Sequence, residues 1–279
     1  MSGNMKKVIA FNYFGGKFSW LDNLYEFFPN DLTHLAEVFG GSMAVSLNYQ
    51  KKAIITVNEI NGEITNFFEV LRTRPEELLA LLYLTPCSQE EFNRCWNLTD
   101  DKVENARRFY VRIRQSFFGL GAQRKSKGWH MAKQHLNAHR GETVSKWNNA
   151  LDKLVDVIEV LRTNIQITNN DFRDFIKKTD TKNTFFYEDP PYVQETRASF
   201  NDYRFEFNTN DHIDLADINH KVAGKVMISG YRSKLYDDEL YKDWQRIDFP
   251  SKKNNIRSGL VTESIWINYE IKEPHTLFN

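Results

Sequence analysis

The sequence predicts an α/β fold: a mostly parallel sheet with one antiparallel edge strand, flanked by helices. Three observations carry this reading. From residue 165 onward, short strand-like runs alternate with helical ones, the pattern of a parallel sheet. The last two runs, "WQRIDF" and "VTESIWINYEI", are joined only by "PSKKNNIRSG", a short connection that suits an antiparallel hairpin. Finally, four segments end in glycines, acids or asparagines, at the carboxyl ends where open sheets of this class hold their ligands.

In chain order, two glycine pairs come first, in "NYFGGKFSW" and "EVFGGSMAV". Each follows an apolar segment and precedes one with helical spacing. "AIITVNEIN" reads as a strand of branched and alternating residues ending at Glu59. Helical spacing runs from Ile60 to Leu84. Pro75 interrupts it and then serves as the first-turn residue of a second helix, "PEELLALLYL". From Thr85 to Lys146 the character changes. Helical "DDKVENARRFYVRIRQSFF" leads into "GLGAQRKSKGWHMAKQHLNAHRG", rich in Gly, Lys, Arg and His with little apolar periodicity, as functional or mobile segments are. An amphipathic helix follows in "ETVSKWNNALDKLVDVIEVLR", with Trp147, Leu151, Leu154, Val155, Ile158 and Leu161 on one face. The alternation comes next: strands "IQIT" and "NTFFYE", a helix "TNDHIDLADINHKVA" with Thr209 as its cap, strand "KVMIS", helix "SKLYDDELYKD", and the terminal hairpin.

Composition narrows the function classes. The 37 Lys+Arg balance 37 Asp+Glu, so a nucleic-acid surface requires local clustering rather than a global basic charge. The 21 Phe and 12 Tyr suit both a packed core and stacking on bases. Cys87 and Cys95 are the only cysteines; their spacing fits neither a zinc knuckle nor a redox pair, and they read as reduced thiols in a cytosolic protein. No apolar run reaches membrane-spanning length, and the start is too weakly apolar for a signal peptide, so neither membrane nor export is expected.

The four strand-end features are "VFGG" (Val38 to Gly41), Glu59, "NNDF" (Asn169 to Phe172) and "DPPY" (Asp189 to Tyr192). Each has an ordinary reading: a turn, a cap, a solvated charge or a stiff loop. Their order is more specific. Glycines let backbone approach a ligand, and an acid about twenty residues further on is where nucleotide-type folds meet a ribose hydroxyl. With these motifs in this order, the chain resembles the Dam-type (D12 class) family of S-adenosylmethionine-dependent DNA adenine N6-methyltransferases. "FNYFGGK" resembles its N-terminal motif, "EVFGGSMAV" its cofactor loop, "VNEIN" its acidic ribose motif, "NNDF" its acid-aromatic motif and "ESIWINY" its last strand, while "DPPY" matches its catalytic tetrapeptide. Two departures stand out: Val38 replaces the proline usual before the phenylalanine, with the glycines adjacent, and Glu59 replaces an aspartate.

The resemblance implies a Rossmann-like methyltransferase sheet in residues 1–84 and 147–279, with a mainly helical target-recognition insertion at 85–146. It implies S-adenosyl-L-methionine as cofactor, released as S-adenosyl-L-homocysteine, with Tyr13, Lys17, Phe39, Gly40, Gly41, Glu59, Asp171, Phe172 and Asp189 around it; Lys17 suits its carboxylate. Asp189 and the Pro190 carbonyl would accept the two N–H groups of the target amine, and Pro191 and Tyr192 would meet the base. Both prolines fix φ and stiffen the preceding residue, so these acceptors are aimed in advance. A base in a duplex cannot reach such a pocket, so flipping is implied. Gln123, Arg124, Lys125, Lys127, Lys133 and Arg140 are the expected contacts to double-stranded DNA, with one or more near Gln123 to Trp129 reading base edges. His135 and His139 sit four apart, but the reaction needs no metal and none is expected. The resemblance places the protein in the cytoplasm of a bacterium or a phage-infected cell and leaves open a cognate restriction endonuclease as partner. Two other readings stay open: methylation of cytosine N4 or of adenine in RNA, and a non-catalytic DNA-binding subunit that keeps the fold.

Overall fold

A computed structural model of the chain describes residues 7–13, 15–116, 128–131, 136–137, 140–197, 204–250, 252–253 and 260–271. Seven strands form the main sheet: β1 (His34–Glu37), β2 (Ile54–Asn58), β3 (Ile165–Thr168), β4 (Thr184–Glu188), β5 (Lys225–Gly230), β6 (Gln245–Asp248) and β7 (Ser264–Ile267). Their spatial order is β3-β2-β1-β4-β5-β7-β6. The first five run parallel. The terminal hairpin supplies the antiparallel pairing at one edge, with β7 running against both β5 and the outermost strand β6. The chain steps outward from β1 to β2 and β3 on one side, and from β4 to β5 on the other. The crevice beyond the carboxyl ends of β1 and β4 is therefore the topological switch point, where such sheets bind ligands.

Both faces of the sheet are covered, which explains the unbroken apolar runs. All five residues of β4 are buried. Its Phe185 and Tyr187 join the core under the helices that precede β3, while Phe186 packs into a second core with Phe175, Leu215 and Trp266. The helices are α1 (Leu21–Glu26), α2 (Ala44–Asn48), α3 (Gly62–Thr73), α4 (Pro75–Leu84), α5 (Gln89–Arg94), α6 (Lys102–Gln115), α7 (Glu142–Asn164), α8 (Phe172–Thr179) and α9 (Thr209–Asn219). Pro75 opens α4 as expected. Asn61, Asp101 and Asp171 cap α3, α6 and α8 through their side chains. Helix α9 is capped by Asn208 rather than Thr209, in a reciprocal box with Asp211. The asparagine accepts from two backbone N–H groups, a cap worth about 1 kcal/mol. The expected helix "SKLYDDELYKD" contains a π-helical turn, Leu235–Leu240. Val155 is 56% exposed, because it lies at the margin of the apolar stripe of α7, whose buried side continues through Ala150 and Val157 instead.

Helices α5 and α6 lie within the expected insertion, 85–146. Strands β2 and β3 are neighbours, yet the chain between them runs through α3 to α7. Helix α6 packs along α3: the Phe67 and Tyr110 rings stack 5.3 Å apart, and Phe109 meets Phe11 at 5.4 Å. Arg107 of α6 bridges to Glu91 of α5 at 2.7 Å, and Arg112 pairs with Glu63 of α3. Residues 89–115 thus share the core that covers the sheet, and the helical crossover begins at α3. Beyond α6, Ser116 and Trp129 form an antiparallel bridge, and Leu136–Asn137 pairs with Arg140–Gly141.

Candidate active site at the switch point

The loop after β1 is pressed onto β2. Gly40 N donates to the Asn58 carbonyl at 2.8 Å, and a Cβ on Gly40 would lie 2.5 Å from Val57 Cγ1. Gly41 has φ of 50°, in the left-handed region that favours glycine, and a Cβ there would sit 2.9 Å from the Tyr13 ring. One glycine is needed for close approach and the other for backbone hand. Glu59 closes the same loop: Oε2 accepts from Gly41 N at 2.7 Å and Oε1 from Asn61 N at 2.8 Å. Burial raises the Glu59 carboxyl, and these two backbone donors pull it back. Asn58 ties the neighbouring loops together, donating to the Val38 and Asn170 carbonyls at 3.2 and 3.0 Å.

Asp171 caps α8 and pairs with Arg173 at 3.2 Å; Arg173 also reaches Asp211 and Asp214, both at 2.7 Å. Phe172 forms an aromatic trio with Phe39 and Phe207, with ring centroids 5.1 to 5.8 Å apart. On the β4 side, Asp189 Oδ1 accepts from Lys17 Nζ at 2.7 Å, and Ser229 Oγ lies 3.1 Å from the same oxygen. Lys17 is 4% exposed and also contacts Glu263 at 3.2 Å. The Tyr192 hydroxyl donates to Glu263, and its ring meets Tyr231 edge to face at 4.7 Å.

These groups enclose a cavity of about 230 Å³. Tyr13, Lys17, Phe39, Gly40, Gly41, Glu59, Asp171, Phe172, Asp189 and Pro191 line it together. Pro190 and Tyr192 are not in its lining. Tyr192 is buried, with one ring face under the Lys17 ammonium, so the expected stacking on a base requires its other face or a rearrangement. Lys17, expected to meet a cofactor carboxylate, is held here by two protein carboxylates. Gln123, Arg124, Lys125, Lys127, Lys133, His135 and His139 lie outside the described residues, and Arg140 is described in its backbone alone. Among the described residues, no three His, Cys, Asp or Glu are grouped to hold a metal, and no helix is long and apolar enough to cross a membrane.

Four residues of this centre were not singled out from sequence: Glu37, Phe207, Ser229 and Glu263. Glu37 is 3% exposed, accepts from Ser46 N at 3.0 Å and lines the cavity. Burial pushes its carboxyl up to about 8, with Asp189 and Glu59 adding repulsion. Glu37 and Glu263 each open a quoted motif, "EVFGGSMAV" and "ESIWINY", so an acid abutting an apolar run was the available signal. Phe207 lies in the loop before α9 and has none.

A mostly parallel sheet with this switch-point cavity, a glycine loop against β2 and an acid beyond its end is consistent with a Rossmann-like methyltransferase fold. Residues 13–255 match the family of D12 class N6 adenine-specific DNA methyltransferases, and the chain belongs to that family. It is 29% identical to the type II methyltransferase M1.LlaDCHI of Lactococcus lactis subsp. cremoris, over 91% of this chain and 93% of that protein. It is 28% identical to the type II methyltransferase M.FokI of Planomicrobium okeanokoites, over 88% of this chain but 38% of that one. With the modification methylase StsI of Streptococcus sanguinis it shares 23% identity, over 94% of this chain and 43% of that one. The chain thus spans under half the length of the latter two relatives.

Proposed function

We propose that this protein methylates the N6 amino group of a flipped adenine in duplex DNA, with S-adenosyl-L-methionine held in the switch-point cavity. The observation that carries the reading is the placement of Asp189. It lines the cavity, and its Oδ1 takes the Lys17 and Ser229 contacts while Oδ2 has no donor among the described residues.

The cavity suits the cofactor by its chemistry. Three buried or half-buried carboxylates, Glu37, Glu59 and Asp189, face it; burial holds the Glu37 carboxyl high, with Asp189 and Glu59 adding repulsion, so a positive charge in the cavity would favour its ionised form. A ligand carrying an ammonium and a sulfonium answers that need. Glu59 has lone pairs left for a ribose diol, the Phe39–Phe172–Phe207 trio forms a slot for a planar base, and Asp171 stands beside that slot to accept from its exocyclic amine. When bound, the cofactor supplies an electrophilic methyl group.

The chain's own residues must prepare the nucleophile. The exocyclic nitrogen of adenine has its lone pair conjugated into the ring. Asp189 Oδ2 and the Pro190 carbonyl would hold the two N–H groups, so that the nitrogen pyramidalises and its lone pair turns toward the methyl group. Pro191 and Tyr192 would wall the base. The duplex would lie against the helical crossover and the segment bearing Gln123, Arg124, Lys125, Lys127, Lys133 and Arg140, with phosphate contacts positioning and base-edge contacts specifying. Relatives named as type II methyltransferases support a cytoplasmic role in restriction-modification beside a cognate endonuclease. The test is transfer of labelled methyl from S-adenosylmethionine to duplex DNA. Asp189→Ala should reduce transfer by about a hundredfold or more while DNA binding is retained; normal transfer by that variant removes Asp189 from the chemistry.

A further inference from the structure

Glu263 lies just before β7 and meets the catalytic loop from the far side of the sheet's switch point. Lys17 has three N–H groups and three acceptors: Gly15 O at 2.9 Å, Asp189 Oδ1 at 2.7 Å and Glu263 Oε1 at 3.2 Å. Its ammonium also sits 4.9 Å from the Tyr192 ring centroid. The Tyr192 hydroxyl donates to the same Glu263 oxygen that Lys17 contacts. Three segments distant in sequence thus meet at one ammonium, and two carboxylates share it.

That sharing matters because an ammonium at 2.7 Å is a strong competitor for a carboxylate lone pair. Were Lys17 buried with Asp189 alone, the two would close into a neutral pair, and the field at Asp189 would favour holding the lysine over a weakly polar amine. A second carboxylate draws part of the ammonium's hydrogen bonding to itself and leaves the cluster with one net negative charge beside the cavity.

We propose that Glu263 is a positioning residue for methyl transfer: by sharing the Lys17 ammonium, it keeps Asp189 an open acceptor for the substrate amine. The inference rests on the adenine-methylation reading and concerns the chain's own residues. Burial lowers the Lys17 pKa, but the two carboxylates outweigh it and the result is raised, so the lysine stays charged. Burial raises Glu263 and Lys17 pulls it down.

The test compares Glu263→Gln and Glu263→Asp with the wild-type protein. Saturating kcat is measured with labelled cofactor, and the Kd for cofactor and for duplex DNA by calorimetry. Glu263→Gln, equal in shape but uncharged, is expected to lose about tenfold or more in kcat, with both Kd values within about threefold. Glu263→Asp keeps the charge and should retain kcat within about threefold, even if Glu263→Gln folds poorly. Equal losses in the Gln and Asp variants overturn the proposal. So does a Gln effect confined to Kd. If the wild-type protein transfers no methyl to DNA, the functional reading fails instead.

Discussion

Glu37, Glu188 and Asp189 cluster at the ends of β1 and β4, and their surroundings give them different work. Asp189 opens to the cavity. Glu188, one residue earlier, points to the opposite face, where Asn219 donates to Oε2 at 2.7 Å and Oε1 has no partner among the described residues. Burial pushes both Glu37 and Glu188 up to about 8. The unfolded chain releases these protons at the ordinary carboxylate value of about 4.3. Between those values the folded protein binds more protons than the unfolded one. Each group's contribution to stability is therefore full below about pH 4 and is lost as pH rises through about 8. The urea midpoint should fall between about pH 4 and about pH 8, and Glu188→Gln, which cannot titrate, should show a shallower fall. Equal slopes would mean that Glu188 is already ionised in the native state. Of these acids only Asp189 was legible as functional, because the two prolines beside it are a local signal. Burial of Glu188 depends on Asn219, and the Tyr192–Glu263 contact joins residues 71 positions apart. Neither partner leaves a mark near the residue it serves.

The elements that aim the site are two loops, after β1 and after β2. Their registration follows from the parallel pairing of His34 with Ile54 through Glu37 with Val57, which brings Gly40 against the end of β2. Adding one methyl group at Gly40 would drive it into Val57 Cγ1, a fully buried core side chain. Overpacking of this kind costs about 1–3 kcal/mol, and here the strain falls on the cavity floor. Gly40→Ala should keep the far-ultraviolet dichroism of a folded protein while weakening cofactor binding by about tenfold or more in calorimetry. An unchanged Kd would show that the loop can move aside without touching the ligand. At this scale the sequence was readable: the strands and most helices stand where alternation and helical spacing put them. The misses have physical causes. Asn208 outcompetes Thr209 because it can complete a box with Asp211, and Val155 falls at the edge of its stripe. Helix α6 reads by charge as the start of something new, yet it packs on α3 by its aromatic face.

For the molecule as a whole, the strand order does what no single motif does. Segments separated by most of the chain, from Tyr13 to Glu263, converge because β1 and β4 are adjacent and the chain leaves them in opposite directions. That is why the order of "VFGG", "VNE", "NNDF" and "DPPY" was informative while each alone was not. The fold alone serves many methyl acceptors, so the target amine is carried by the family to which the chain belongs. The most direct test of the central claim is to incubate the protein with duplex DNA and labelled S-adenosylmethionine, digest the DNA to nucleosides and identify the labelled one. Label is expected in N6-methyladenine with the wild-type protein, and is expected to be lost in Asp189→Ala. Label in N4-methylcytosine, or equal labelling of adenine by Asp189→Ala, would contradict it.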